Sequence, residues 1–167
     1  MKEIRLKAMT RELCHELYRH WTNDVSIYMD MHLFRPYVYD GVAVNRYYDT
    51  KKSDASRRLL VIMLGDKAIG ELQLKYIDYD KKECTLSIHM QNDAVKGKGY
   101  GTQAERLAVK FAFDQLGMIA VNADTLIKNT RSQHVLEKVG FGFVGEDETF
   151  KYYRIEQKLS VLWAENL

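Results

Sequence analysis

The order of apolar and polar residues in the first half of the chain predicts a strand, a helix and a β-hairpin. Residues 4–6 alternate as in a strand, and Thr10 is suited to cap the helix that follows. Residues 26–48 show no clear period, which predicts short helices and a loop. An apolar run at residues 58–64, a turn and a second run at residues 68–74 together predict a hairpin.

The pattern then extends this hairpin to a meander and changes to a helical period. Residues 83–90 alternate apolar and polar side chains, which predicts a half-buried third strand. Between residues 101 and 112 the apolar side chains recur at helical spacing and form one stripe. Gly117 is placed to end this helix, and residues 119–125 again have the composition of a strand.

A last helix and a last strand complete the predicted order of elements. Thr130 and Gln133 have the spacing of a capping box, and Gly140 is placed to end the helix that they begin. Residues 150–159 predict the final strand. The order strand, helix, meander, helix, strand, helix, strand indicates a mixed α/β sheet.

Composition narrows the class of protein. The chain has 167 residues, 46% of them hydrophobic and 29% charged, so we expect one domain over residues 1–167. A net charge of +2 argues against a nucleic-acid partner. Neither a membrane-spanning stretch nor a signal peptide is visible, so we expect no membrane association and a cytoplasmic protein. Cys14 and Cys84 predict buried free thiols and no metal site.

Residues 95–102 carry the clearest chemical signal. Three alternate glycines lie between the third meander strand and the helix, and two lysines flank the first of them. Such glycines let the backbone approach a ligand, and the helix start presents free N–H groups at the positive end of its dipole. The segment therefore predicts an anion site suited to a pyrophosphate. The glycines and lysines are Gly97, Gly99, Gly101, Lys96 and Lys98.

Other glycine-rich loops fit this segment less well. The phosphate loop of NTPases needs a Ser or Thr after its lysine, and Lys98 is followed by Gly99. The dinucleotide fingerprint needs its third glycine one residue later, and an antiparallel meander precedes the turn in place of a βαβ unit. A merely tight strand-to-helix turn explains one glycine but not three.

Two segments together resemble the GNAT acetyltransferases. Residues Lys96-Gly97-Lys98-Gly99-Tyr100-Gly101-Thr102 are similar to the Gln/Arg-x-x-Gly-x-Gly/Ala loop that binds the pyrophosphate of CoA, with lysine at the first position. Residues 129–141 resemble the Asn-x-x-Ala/Ser helix of the family, which ends in Lys-x-Gly-Phe. The resemblance covers residues 2–159, and residues 132–141 look most like the RimJ/RimL-type branch, which includes ribosomal-protein N-terminal acetyltransferases.

This resemblance implies an α/β GNAT fold. Its sheet is mixed, mostly antiparallel, twisted and six- to seven-stranded, with about four flanking helices and a splay between two central parallel strands. Here those strands are residues 83–90 and 119–125. The implied activity is direct transfer of the acetyl group of acetyl-CoA to a primary amine in a ternary complex.

The resemblance also implies which residues bind acetyl-CoA. Backbone N–H groups of residues 98–102 hold the pyrophosphate, and backbone groups near Met90 and Gln91 pair with the pantetheine arm. Asn129 hydrogen-bonds the arm near its thioester end, although Asn is equally suited to cap the following helix. The full implied set is Met90, Gln91, Lys96, Gly97, Lys98, Gly99, Tyr100, Gly101, Thr102, Asn129, Ser132 and Lys138.

The catalytic groups are less clearly marked. Acetyl transfer needs a neutral amine, an oxyanion donor and a proton for the thiolate. The backbone N–H near Met90 is a candidate oxyanion donor, and His89 and Glu71 are candidate bases. Many GNAT enzymes have an acidic tyrosine seven residues after the asparagine, where this chain has Leu136, so Ser132, a water or no specific acid takes that role.

The acceptor is not identified by the sequence. It is either a protein N-terminus or a small-molecule amine, and the aromatic residues of the N-terminal and C-terminal regions are candidates to line its pocket, or else form core and rim. An inert CoA-binding module is the alternative function, and we expect a monomer or a homodimer. The candidate aromatic residues are His32, Tyr37, Tyr39, Tyr47, Tyr48, Tyr152 and Tyr153.

Overall fold

The computed structural model describes residues 2–28 and 30–158, which form one seven-stranded sheet with helices on both faces. The strands are β1 (Ile4–Ala8), β2 (Arg58–Leu64), β3 (Lys67–Asp78), β4 (Glu83–Met90), β5 (Ala120–Leu126), β6 (Gly142–Glu146) and β7 (Phe150–Glu156). The α-helices are α1 (Arg11–Arg19), α2 (Gly41–Lys52), α3 (Tyr100–Asp114) and α4 (Thr130–Val139). Short 3₁₀ helices are found at Val25–Ile27, Met31–Leu33 and Asp93–Val95.

The strand order is β1-β2-β3-β4-β5-β7-β6, and β4 and β5 are the parallel neighbours within it. The other neighbouring strands pair antiparallel. The prediction of a mixed, mostly antiparallel GNAT-type sheet with four flanking helices is confirmed in the part of the chain that the structure describes.

Helices on both faces explain why β2 reads as a continuous apolar run. On one face Val61 packs with Leu17 of α1 and Val44 of α2. On the other face Leu86 packs with Ala108 of α3, among other residues of the larger core. A strand that is buried on both faces needs apolar side chains in both directions, so its sequence loses the alternation of a half-exposed strand.

The two parallel strands separate partway along their length. Their pairing runs from Glu83 opposite Ala120 to Leu86 opposite Ala123 and then stops. Both strands continue, β4 to Met90 and β5 to Leu126. The last residues of β4 therefore have β3 on one side and no strand on the other, which is the predicted splay.

Several element boundaries differ from the predicted ones. Strand β6 was not predicted, because its five residues include two glycines and most are exposed, so they show no apolar alternation. Helix α4 is capped by Asn129, whose side chain accepts from the N–H of Ser132, so the predicted capping box at Thr130 is wrong by one residue. The last strand ends at Glu156, and residue 159 lies outside the described residues.

Both cysteines are buried and unpaired, as predicted. Burial raises the pKa of the Cys14 thiol to about 12 and that of Cys84 to about 11, so both are neutral side chains of the core. Within the described ranges no helix combines the length and the apolar character needed to cross a membrane.

Candidate functional site

A cavity of about 690 Å³ passes through the splay and is lined from both faces of the sheet. We call its two parts the α1/α2 side and the α3/α4 side, after the helices that cover each face. The α1/α2 side includes Tyr18, Trp21, Tyr37, Tyr47, Glu71 and His89. The α3/α4 side includes Leu86, Ile88, Gly101, Glu105, Ser132 and Leu136. The splay is therefore the point at which ligands approaching from opposite faces meet.

The glycine-rich segment has the conformation that its sequence predicts. Gly97 and Gly99 adopt positive φ angles of +72° and +82°, a region that other residues rarely enter. A Cβ atom at either position would meet nothing within 4 Å, so both glycines border open space. Gly99 begins α3 without a side-chain cap. The loop is thus shaped by glycine and leaves room for a ligand.

The amides at the start of α3 have no acceptor among the described residues. The first donor of the helix that is bound is the N–H of Gln103, which reaches the carbonyl oxygen of Gly99 at 3.2 Å. Within residues 2–28 and 30–158, no hydrogen bond is found for the N–H groups of residues 97–102. Unpaired amides at a helix start attract an anion. This arrangement fits the diphosphate of acetyl-CoA.

The two lysines of the loop differ in their surroundings. Lys96 Nζ lies 2.9 Å from a carboxylate oxygen of Asp24 and 3.2 Å from one of Asp93. Burial opposes the charge of Asp24, but hydrogen bonds from Ser26 and Lys96 outweigh burial and lower its pKa to about 2. The charge of Lys96 is therefore largely neutralised within the protein. Lys98 is exposed and makes no ion pair with a described residue.

Met90 and Gln91 were both predicted to pair with the pantetheine arm, but their backbone N–H and C=O groups have different partners. The N–H of Gln91 donates to the carbonyl oxygen of Ile69, and its own carbonyl accepts from Thr22. Its side-chain amide donates to the carbonyl of Leu17. Gln91 is therefore a link between β3, β4 and α1, and the prediction that its backbone is open to a pantetheine arm is wrong.

The backbone of Met90 points the other way. Backbone groups alternate in direction along a strand, so an N–H of Gln91 that faces β3 leaves the N–H of Met90 facing the splay. Pairing between β4 and β5 has already ended at Leu86, so no β5 residue satisfies that group. Ile88 and Met90 thus offer backbone donors and acceptors to a molecule lying between the strands.

The start of α4 borders the cavity. Asn129 Oδ1 accepts from the N–H of Ser132 at 3.2 Å, and both residues line the cavity. Capping uses the oxygen of the Asn129 side chain, so its amide nitrogen is left for another partner. Lys138 lies at the exposed end of α4 away from the cavity lining, and its carbonyl accepts from Arg106. Its predicted part in CoA binding stays a prediction.

Glu71 is the buried acidic residue of the α1/α2 side, with an exposed fraction of 2%. Its Oε1 accepts from Tyr18 at 3.1 Å, and its Oε2 accepts from Tyr47 at 2.7 Å and from Gln73 at 2.9 Å. Three neutral donors from three different elements therefore hold this carboxylate. Hydrogen bonds of this kind make a buried charge tolerable.

The tyrosines around Glu71 form an aromatic wall. Burial, and then the charge of Glu71, raises the pKa of Tyr18 and of Tyr47 far above the ordinary value, so both phenols stay neutral donors. The ring of Tyr18 lies 4.8 Å from that of Trp21 and 6.0 Å from that of Tyr37, centroid to centroid. Aromatic faces beside a carboxylate form a good environment for an organic cation.

His89 lies directly opposite Glu71 in the β3–β4 register, so both side chains are on the same face of the sheet. The structure thus brings the two predicted candidate bases together at the cavity. The side chain of His89 is exposed to solvent and lines the cavity. Desolvation lowers the pKa of His89 from its ordinary 6.5, while the charge of Glu71 opposes that shift. A neutral imidazole at pH 7 can accept a proton.

The α3/α4 side contains a second buried carboxyl group, Glu105. Its exposed fraction is 1%, and no partner within the described residues reaches its Oε2. Desolvation raises the pKa of this side chain to about 8. The helical stripe gave no reason to expect a polar residue at this depth, and Glu105 was not among the predicted site residues.

Other predicted residues lie elsewhere. Glu83, at the start of β4, forms an ion pair with Arg154 at 2.7 Å and does not line the cavity. Tyr37 and Tyr47 do line it, as expected for an acceptor pocket. The remaining aromatic candidates, which are outside the cavity lining, are His32, Tyr39, Tyr48, Tyr152 and Tyr153. Tyr39, for example, contacts His15 Nδ1 at 2.5 Å.

Tyr18, Trp21 and Arg131 also line the cavity and were not singled out from the sequence. The first two belong to the apolar stripe of the α1 region, which reads as ordinary core. Arg131, on α4, also lines a neighbouring pocket together with Lys96 and Lys128. Among the described residues no cluster of His, Cys, Asp and Glu is suited to hold a metal ion.

Comparison with known proteins decides the family. A profile described as "Acetyltransferase (GNAT) domain" matches residues 3–142. The chain belongs to the GNAT acetyltransferase family. The match spans the glycine-rich loop, the splayed strands and α4, which are the features that the sequence and the fold had indicated.

Two curated relatives share part of the chain. A probable N-acetyltransferase, YjcK of Bacillus subtilis, is 34% identical over 76 residues, which are 46% of this chain and 42% of the relative. Spermidine N(1)-acetyltransferase of Escherichia coli K12 is 26% identical over 105 residues, which are 63% of this chain and 56% of the relative. The chain therefore aligns with only about half the length of each.

Solved structures of the spermidine N-acetyltransferase SpeG from Vibrio cholerae share the fold. A chimera of it with hSSAT matches with a TM-score of 0.75 at 18% identity, covering 92% of this chain and 95% of that one. The same enzyme in complex with CoA and spermine matches with a TM-score of 0.68, also at 18% identity, covering the same 92% and 95%. At such identity the match shows the fold alone.

The predicted membership of the GNAT superfamily is confirmed by the family match over residues 3–142. The finer assignment to the RimJ/RimL-type branch is not supported by the relatives named above, which are spermidine acetyltransferases and a probable N-acetyltransferase. That assignment stays a prediction.

Proposed function

We propose that this protein transfers the acetyl group of acetyl-CoA to a primary amine of a small cationic molecule, with a polyamine as the best candidate. The observation that carries the proposal is Glu71, a buried carboxylate walled by Tyr18, Tyr47 and Trp21 at a cavity that opens into the splay. A carboxylate beside aromatic faces attracts an ammonium group both by charge and by cation–π contact.

The α3/α4 side fits acetyl-CoA. The unpaired amides of residues 97–102 would hold the diphosphate, and the free backbone groups of Ile88 and Met90 would pair with the pantetheine arm. Arg131 and the exposed Lys98 add positive charge near the phosphates. The splay would then place the thioester at the level where the α1/α2 side begins.

The chemistry follows from this placement. The proposed base is His89, which takes a proton from the bound ammonium group, directly or through a water, so that a neutral amine attacks the thioester. Glu71, held by three donors, keeps the acceptor positioned and stabilises its positive charge before attack. The N–H of Met90, which faces the splay, is the proposed oxyanion donor. Positioning both substrates in one ternary complex supplies much of the rate.

The relatives support a small-molecule acceptor, because two of them are named as spermidine acetyltransferases. A protein N-terminus, the acceptor that the RimJ/RimL resemblance implies, also carries a positive charge but lacks the second cationic centre of a polyamine. A cytoplasmic location and a monomeric or homodimeric state remain predictions alongside this function.

A panel of acceptors tests the proposal. The protein is incubated with acetyl-CoA and, separately, with spermidine, a diamine, a monoamine of similar length and a peptide with an N-terminal alanine, and free thiol is followed. We expect thiol release above the no-amine control, with kcat/KM highest for spermidine or the diamine. Release with the peptide alone would overturn the polyamine assignment, and no release with any amine would favour an inert CoA-binding module.

A further inference from the structure

Glu105 is an acidic side chain that the proposed mechanism has not used. It lies on α3 with an exposed fraction of 1%, and its Oε2 is buried without a hydrogen-bond partner among the described residues. It lines the cavity rather than the closed core. A buried, unpaired polar atom is costly, so it indicates a partner that arrives with a ligand.

Glu105 lies on the part of α3 that is hydrogen-bonded to α4 through its neighbour Arg106. It follows Gly101 by one helical turn on α3, so it lies one turn deeper than the anion site. At this level α3 is tied to α4, because Arg106 donates to the carbonyl of Lys138 at 3.2 Å. Leu136, on the facing side of α4, lines the same cavity and is itself buried. Glu105 and Leu136 therefore both line the α3/α4 side of the cavity, on two helices that are hydrogen-bonded to each other.

Leu136 stands where the GNAT resemblance implies a tyrosine that protonates the CoA thiolate. A leucine has no proton to give. The same cavity is thus lined by a leucine at the position of the implied acid and by a carboxyl group whose Oε2 has no partner among the described residues.

The charged groups of the cavity leave Glu105 unpaired. Glu71, Lys75 and His89 belong to the opposite face of the sheet, and Lys96 pairs with Asp24 and Asp93. Asp124 and Arg131 also line the cavity, and neither bonds to Glu105. Desolvation is the cause of its raised pKa, with no charged neighbour contributing. Glu105 is therefore held as the neutral acid, the form that donates a hydrogen bond.

We propose that the neutral carboxyl group of Glu105 donates its proton to the departing CoA thiolate, in the role for which position 136 lacks a hydroxyl group. This inference rests on the proposed acetyl transfer. The base His89 and the acid Glu105 then lie on opposite faces of the splay, so the amine enters from one side and the sulfur leaves toward the other.

The step balances as follows. The carbon–sulfur bond breaks and its electron pair goes to sulfur, the Oε2–H bond of Glu105 breaks, and a new S–H bond forms. As the tetrahedral intermediate collapses, the former amine nitrogen gives up the one proton it carries in excess to water in the cavity. The products are the amide, CoA as the free thiol, a proton released to solvent and a carboxylate at Glu105. That carboxylate regains a proton from solvent after product release, because burial disfavours its charge. The pKa of Glu105, about 8, lies near that of an ordinary thiol, about 8.5. The free-energy change of the proton transfer from Glu105 to the thiolate is therefore small.

Rescue by a tyrosine gives the first test. Glu105→Gln keeps the size of the side chain and a hydrogen-bond donor but has no acidic proton. We expect kcat to fall roughly ten- to a hundredfold. This is the lower range for general acid catalysis, because a thiolate leaves readily even without a proton. Adding Leu136→Tyr to this variant should restore at least half of the loss on a logarithmic scale. Adding Leu136→Phe, which fills the same space without a hydroxyl, should restore none. An unchanged kcat in Glu105→Gln, or equal rescue by both rings, overturns the proposal.

A measurement without turnover gives the second test. The carboxyl carbon of Glu105 is followed by ¹³C NMR in the unaltered protein, assigned by its loss in Glu105→Gln or, if that variant does not fold, in Glu105→Leu. We expect its resonance to shift when CoA is added and to stay in place with desulfo-CoA, which lacks only the sulfur. Equal shifts with both ligands, or no shift with either, overturn the proposal. This readout is independent of the acceptor, so it separates failure of this inference from failure of the proposed function.

Discussion

The two sides of the cavity each contain one buried glutamate, and the two are held in opposite ways. Glu71, on the α1/α2 side, accepts hydrogen bonds from Tyr18, Tyr47 and Gln73. Glu105, on the α3/α4 side, has one oxygen for which the described part of the chain provides no hydrogen-bond partner. Both are almost completely buried, with exposed fractions of 2% and 1%. Burial alone therefore does not decide what a carboxyl group does in this protein.

The difference lies in what each side supplies. The α1/α2 side brings its own donors from α1, α2 and β3, so both carboxylate oxygens of Glu71 are already hydrogen-bonded. The α3/α4 side presents unpaired groups, namely the amides of residues 97–102 and the carboxyl group of Glu105, which a ligand must satisfy. A side with complete hydrogen bonds is preorganised, whereas a side with unpaired groups gains its partners on binding.

The largest expected effect comes from removing Glu105, whose contribution to stability should depend on pH. Its pKa is raised from 4.5 to about 8, so between these pH values the folded state holds a proton that the unfolded state has lost. Its contribution to the free energy of unfolding therefore becomes less favourable as pH rises through this window. We expect Glu105→Leu to be more stable than the parent at pH 9 by on the order of 3 kcal/mol, and much less so at pH 5.

Urea denaturation at the two pH values measures this difference. Glu83→Gln is the control, because hydrogen bonding to Arg154 lowers the pKa of Glu83, and its loss should not stabilise the protein at pH 9. A stability gain of Glu105→Leu that is the same at pH 5 and pH 9 would mean that Glu105 is ionised in the folded state at both.

A second change tests the charge of the α1/α2 side. Glu71→Gln keeps the shape but removes the charge that attracts the acceptor, so we expect kcat/KM for spermidine to fall roughly a hundredfold, consistent with loss of a charged hydrogen-bonded group. The affinity for CoA should not change. Glu83→Gln removes one negative charge outside the cavity and should alter kcat/KM less than about twofold. A loss of CoA affinity in Glu71→Gln would show that the two sides are not separate.

The glycine loop offers a matched pair of substitutions. Gly99 and Gly117 both have positive φ angles, +82° and +69°, and a Cβ at either would meet nothing within 4 Å. Alanine at each position therefore costs a similar backbone strain of about 1–2 kcal/mol. We expect only Gly99→Ala to weaken CoA binding, roughly thirtyfold by calorimetry, because its Cβ enters the space of the ligand. Equal affinities in the two variants would place the diphosphate elsewhere.

The smallest effect concerns His89. Desolvation lowers the pKa of His89 from 6.5, so the neutral base persists at pH 7 and is lost only in more acidic solution. We expect kcat/KM to fall in acid only at a lower pH than an ordinary histidine would give. We expect His89→Gln to lower kcat/KM at pH 7 about tenfold and to remove this acidic limb. The pH profile at saturating acetyl-CoA measures both. An acidic limb that survives in His89→Gln would assign the base to another group.

Much of the α3/α4 side could be predicted from the sequence, because the residues that define it are close together along the chain. The positive φ angles at Gly97 and Gly99 need glycine, and the helix start follows them directly along the chain, so eight consecutive residues specify the anion site. The alternation of residues 83–90 likewise predicted β4, and the register then placed His89 opposite Glu71 as the hairpin and meander implied. Local conformational rules are enough for such features.

What the sequence did not show depends on contacts between distant segments. Gln91 looked free to bind a pantetheine arm, but Ile69, Thr22 and Leu17 use its polar groups. Asn129 rather than Thr130 caps α4, a choice of one residue that propensity does not resolve.

By itself, then, the sequence determined the family, the order of most elements and the glycine-shaped anion site, because each of these is encoded within a short stretch of chain. Only the tertiary structure decided that Tyr18 and Tyr47 converge on Glu71, and that Glu105 Oε2 has no partner among the described residues of a cavity that Leu136 also lines. The reason is physical: burial and hydrogen bonding are properties of groups that meet from different elements, and no local pattern specifies which groups will meet.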